Sequence, residues 1–75
     1  GKSMKIENAR KIVNYLNLME FEARLNESYS GRCMYGAFTT GVTVQSVGHV
    51  EMAMQALNID DYQRTDSMGR DTIVY

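Results

Sequence analysis

Two stretches of this chain combine residue types that could hold an anion: Ser30-Gly31-Arg32-Cys33-Met34-Tyr35-Gly36 and Asp66-Ser67-Met68-Gly69-Arg70-Asp71. Each sets an arginine beside glycines, whose missing Cβ lets the backbone turn tightly or lie close against a ligand. Amides exposed in such turns can cradle an anion, and a guanidinium adds a planar fork of donors matched to phosphate or carboxylate. The expected ligand is a phosphate-bearing small molecule or nucleotide. Its binding residues would be Ser30, Gly31, Arg32, Tyr35, Gly36, Ser67, Gly69 and Arg70, with the Tyr35 ring available to stack on a base. The plainer reading is two ordinary turns carrying solvated arginines. Neither stretch is a Walker loop, which ends in Gly-Lys-Ser/Thr, nor a dinucleotide fingerprint, which has a third glycine between a strand and a helix.

The remaining reactive groups do not assemble into a catalytic or metal set. Asp60, Asp61, Asp66 and Asp71 do not reproduce the spacing of a calcium loop and read as turn and cap residues. Cys33 lies beside Arg32, where a cation could activate a thiol, but no base is paired with it in sequence. It reads as a small semi-buried residue, and His49 as a surface or capping residue. The expectation is a non-enzymatic protein with no catalytic residues, no metal and no cofactor.

Size limits what can position these groups. Seventy-five residues make one domain, taken as 4–75, with Gly1-Lys2-Ser3 before Met4 read as a vector remnant. One cysteine forbids an internal disulfide, and His49 alone cannot make a zinc set, so self-association is the remaining common way to gain buried surface. A homo-oligomer is expected. Eight basic and nine acidic residues leave a net charge of −1, which argues against nucleic acid or an anionic membrane as the partner. No run reaches the roughly 18 apolar residues of a membrane span, and the chain reads as cytosolic.

The elements follow from periodicity. Ile6, Ala9, Ile12, Val13 and Leu16 recur at helical steps, with Asn17 as the expected C-terminal cap. Phe21, Ala23 and Leu25 alternate with Glu22, Arg24 and Asn26 as a strand. Met34 to Gln45, interrupted by Gly36 and Gly41, reads as two short strands or one bent one. Ser46 should cap a second helix carrying Val47, Val50, Ala53, Met54 and Leu57 and ending near Asn58. Met52 and Met54 cannot share one face of that helix, so one of them should approach the surface or an interface. Tyr62 to Thr65 and Asp71 to Tyr75 read as strands around a type I turn at Asp66-Ser67-Met68-Gly69, the last strand forming a sheet edge. The fold class is α+β, with a small antiparallel sheet and two helices packed on one face, in the order α-β-β(β)-α-β-β.

Ser30-Gly31-Arg32-Cys33-Met34-Tyr35-Gly36, followed by Asp66-Ser67-Met68-Gly69 and Ile73-Val74-Tyr75, resembles a pattern in small uncharacterised proteins of bacteriophages and prophages. That pattern is S-G-R-x-M-(Y/F)-G, then D-x-M-G and a terminal hydrophobic pair with tyrosine. Cys33 stands where glycine is expected, and Arg70-Asp71 where an apolar residue and glycine are common. The resemblance implies a setting in phage infection or lysogeny, where proteins of this size act by binding. Two partner classes follow: a small anionic ligand such as a nucleotide signal of host immunity, or a host protein such as a defence nuclease, held stoichiometrically. Either would make a counter-defence protein.

Overall fold

The computed structural model describes residues 3–29, 39–61 and 63–75, and for Ser28, Tyr29 and Thr39 the backbone only. The elements run α1 (Ile6–Leu18), β1 (Ala23–Tyr29), β2 (Thr39–Val44), α2 (Val47–Leu57), β3 (Thr65–Met68) and β4 (Asp71–Val74). The strands form a four-stranded sheet in the order β1-β2-β4-β3, each neighbour antiparallel. The fold is thus the α+β class read from the sequence. Of the stretch read as Met34 to Gln45, the described part is one strand, and residues 34–38 lie outside the described residues.

The helical stripe of α1 buries Ala9, Ile12, Val13 and Leu16, and that of α2 buries Val50, Ala53 and Met54. Met52, two positions before Met54, is half-buried, as that spacing requires. Both stripes face Ala23, Val42, Val44 and Val74, so one sheet face and two helices enclose the main core, which also takes in Met4. Leu57 only borders that core and is half-buried.

Both helices end in the same device. Glu20 N–H donates to Asn17 O at 3.0 Å and Phe21 N–H to Leu16 O at 2.8 Å, the paired bonds of a Schellman motif. The cap therefore falls at Met19, with Glu20 at φ 66°, and Asn17 stays helical, which corrects the expected boundary. The paired apolar residue Phe21 can fold back only if the turn is delayed to Glu20. In α2, Asn58 takes the left-handed conformation, and Asn58 N–H and Ile59 N–H donate to Gln55 O and Met54 O in the same pattern. The start of α2 is as expected: Ser46 Oγ accepts from Gly48 N–H at 3.2 Å. The start of α1 has no side-chain cap of its own. Asp61 supplies one from the far end of the chain, where its Oδ2 accepts from Lys5 N–H at 2.9 Å and Asn8 Nδ2 at 2.7 Å.

The C-terminal hairpin differs from its expected register. Met68 pairs with Asp71, so Asp66, Ser67 and Met68 are strand residues and the loop is Gly69-Arg70 alone. Gly69 has φ 66° and Arg70 does not take positive φ, the arrangement of a type II′ turn. Such a loop matches the twist of the flanking strands, whereas a type I turn would splay them. Arg64 and Tyr75 extend the ladder by one pair, with N–H to O distances of 2.7 and 2.8 Å. Tyr62, the expected start of this strand, lies outside the described residues. The last strand is not an edge either: β4 lies between β2 and β3, and the edges are β1 and β3.

Candidate functional site

Strand alternation turns Arg24, Asn26, Gly41, Thr43, Asp71, Ile73 and Tyr75 away from the helices. That face is polar and knitted across strands. Arg24 pairs with Asp71 at 3.8 Å, Asn26 Nδ2 donates to Thr43 Oγ1, and the Tyr75 hydroxyl donates to Asp66 Oδ2 at 3.1 Å. Gln45 Nε2 donates to Glu22 Oε2 at 3.0 Å where the β1–β2 pairing runs out. Ile73 and Tyr75 are fully buried on this face and Thr43 nearly so. Gly41 makes the packing possible, because a Cβ there would fall 2.7 Å from Val74 O and 3.0 Å from Tyr75 Cβ. The sequence carried a signal for this second layer: Ile73-Val74-Tyr75 is a continuous apolar run, the mark of a strand buried on both faces.

Of the predicted binding residues, Ser67, Gly69 and Arg70 lie together on the β3–β4 hairpin and all three are exposed. Ser67 is a strand residue facing Thr72, on the helix side of the sheet, so the turn itself presents Gly69 and Arg70. Arg70 makes no ion pair or hydrogen bond with any described residue, whereas Arg24 is held by Asp71 and Arg10 by Glu27 at 3.6 Å. Ser30, Gly31, Arg32, Tyr35 and Gly36, with Cys33 and Met34, lie outside the described residues.

The register locates the ends of that segment all the same. Tyr29 faces Thr39, and three residues on Val42 faces Val74, which faces Thr65. Arg70 lies four residues before Val74 on the returning strand, so about seven residues of strand, roughly 23 Å at about 3.3 Å each, separate the level of Thr39 from the Arg70 turn. Within one chain the two arginine-bearing segments are anchored at opposite ends of the sheet.

The Arg70 end also collects the C-terminus of α1 and the N-terminus of α2, because Ala23 and Val44, which follow and precede those helices, are partners there. Leu18 is 84% exposed, Met19 51% and Met68 44%, and all three lie at this end. His49, expected at the surface or as a cap, is instead half-buried, with its ring 4.3 Å from that of Phe21. Its Nδ1 is buried with no hydrogen-bond partner. Among the described residues no three His, Cys, Asp or Glu side chains converge as a metal site, and no helix is long and apolar enough to cross a membrane.

Fold and site together define the class as a two-helix α+β domain with a four-stranded antiparallel sheet, carrying an exposed arginine hairpin at one end. No family model, curated protein or solved structure matches the chain.

Proposed function

We propose that the chain is a small non-enzymatic binding protein that takes a phosphate-bearing small molecule or nucleotide at its arginine turns. The observation that carries this reading is Arg70, an exposed guanidinium with no partner among the described residues, held on a two-residue turn. A short hairpin loop on a paired ladder is rigid, so the charge is presented without a large ordering cost on binding. Ser67 and Gly69 flank it, and Arg32, with Ser30, Gly31, Tyr35 and Gly36, completes the proposed set. The phage resemblance places such a protein in a bacterial cytoplasm, where sequestering a nucleotide signal would be a counter-defence activity. Calorimetry against mono-, di- and cyclic nucleotides tests the reading. Binding that is lost in Arg70→Ala with an unchanged melting temperature supports it, since an exposed, unpaired arginine contributes little to stability. A panel with no binder refutes it.

A specific observation favours a second reading, the stoichiometric binder of a host protein. Leu18, Met19 and Met68 leave apolar side chains in water at one end of a small domain. Flexible methionines suit a protein contact, because they repack against a partner's relief. Loss of a co-purifying host protein in Leu18→Asp, with nucleotide binding absent throughout, would mark this reading as the correct one.

A further inference from the structure

Among the described residues no strand lies outside β3, whose outward backbone groups follow a fixed phase. The two bonds between Arg64 and Tyr75 make them a hydrogen-bonded antiparallel pair. Alternation then turns the N–H and C=O of Asp66 inward to β4, and those of Gln63, Thr65 and Ser67 outward. Gln63, Thr65 and Ser67 are exposed, and the helices pack over β1, β2 and β4 rather than over this edge. The opposite edge, β1, is interrupted by a register shift between Asn26 and Tyr29, which spoils it as a template for a continuous ladder.

We propose that a second copy of this chain pairs antiparallel with β3, Thr65 facing the partner's Thr65 about a twofold axis normal to the sheet. Outward residues must face outward residues, which allows the axis to fall at Thr65 or Ser67, or at Arg64 or Asp66, where it would set two like charges directly opposite. Centring on Thr65 sets Arg64 opposite the partner's Asp66, and Asp66 opposite the partner's Arg64. These fall at non-hydrogen-bonded positions, where facing side chains come closest. Centring on Ser67 would instead set Arg64 opposite the partner's Arg70, two like charges. Arg64 and Asp66 each already interact within the chain, Asp66 with the Tyr75 hydroxyl among others, and a guanidinium and a carboxylate each offer more than one hydrogen-bonding site. An arginine and an aspartate spaced symmetrically about an outward residue are complementary to themselves, which is why the occupant is a second copy.

The dimer has a consequence for the ligand reading, although it does not depend on that reading. Because the strands run antiparallel, the Arg70 turn of one copy comes to the same end of the joined sheet as the partner's Tyr29 and the partner's Thr39. Tyr29 and Thr39, which one chain holds at the opposite end from its own Arg70 turn, are thereby brought to the end of the partner's turn.

Light scattering across a wide dilution series, with amide exchange on the same samples, tests the proposal on the full chain. The native chain should dimerise, with the Thr65 and Ser67 amides protected when concentrated and released on dilution. Arg64→Glu and Asp66→Lys should each weaken the dimer by about tenfold or more, since both facing pairs become like-charged. An equimolar mixture of the two restores opposite charges at both pairs and should form a heterodimer. Should Asp66→Lys fail to fold for want of its Tyr75 bond, Arg64→Glu and the amide exchange decide. A monomer at every concentration overturns the proposal. So does a dimer indifferent to Arg64→Glu, or one whose Thr65 and Ser67 amides exchange as fast as in the monomer. An extended peptide of another protein seated on this edge of a monomeric chain overturns it as well.

Discussion

A few side chains hold positions where one atom decides the outcome. Gly41 is the clearest: the missing Cβ is where Val74 O and Tyr75 approach, so Gly41→Ala must push β4 away or tilt the sheet. A loss of about 1–3 kcal/mol in a denaturant titration is expected, the usual cost of overpacking. His49 is the opposite case. Its buried Nδ1 lacks a partner while its ring packs on Phe21, so His49→Phe should keep the contact and remove the unsatisfied atom. Stability should hold or rise by up to about 1 kcal/mol. Burial separates two aliphatic positions that the helical stripe treats alike. Ile12→Ala should cost about 2–5 kcal/mol, and Leu57→Ala, half-buried at the margin of the core, less than half as much. Periodicity finds which side of a helix is apolar. It does not find how far along the axis the neighbouring elements extend, and that sets the burial of Leu57.

At the scale of elements, helix ends and turns govern what the sequence reveals. Ser46 and Asn58 bracket α2 legibly because each cap is local and made by a residue type suited to it. The end of α1 is illegible for a physical reason: its left-handed position is filled by Glu20, a type that disfavours it, and the Schellman bonds with Phe21 override that preference. Glu20→Gly should therefore stabilise the protein by about 0.5–1 kcal/mol, seen as a melting point several degrees higher. The start of α1 is hidden for another reason, since its capping carboxylate, Asp61, comes from the other end of the chain. Asp61→Ala should cost about 1–2 kcal/mol, and the loss should appear as faster amide exchange in the first turn of α1. Likewise Thr65-Asp66-Ser67-Met68 has no apolar alternation to mark it as a strand. It becomes one because Gly69 closes a two-residue loop that sets it against Asp71-Thr72-Ile73-Val74.

The whole molecule is built asymmetrically. One sheet face is covered by two helices, while the other carries the cross-strand contacts of Arg24, Asn26, Thr43 and Asp71 and the fully buried Ile73 and Tyr75. The fold class followed from the order of periodic segments, whereas the strand order β1-β2-β4-β3 did not. The sequence shows that the last strand is apolar, yet only the packing places it inside the sheet. The same holds for the site: glycines and arginines mark the turns in sequence, but the register that anchors the two segments at opposite ends is a property of three strand pairings together. Arg70 is then the exposed charge on the hairpin, and Leu18, Met19 and Met68 are the exposed apolar groups at the same end. An amide spectrum of the isotope-labelled chain, titrated with mono-, di- and cyclic nucleotides, separates these two surfaces in one measurement. The account predicts that at least one nucleotide shifts Ser67, Gly69 and Arg70 with their neighbours Met68 and Asp71, and that Arg70→Ala abolishes the shifts. A spectrum that no nucleotide perturbs, or shifts confined to Leu18 and Met19, would contradict it.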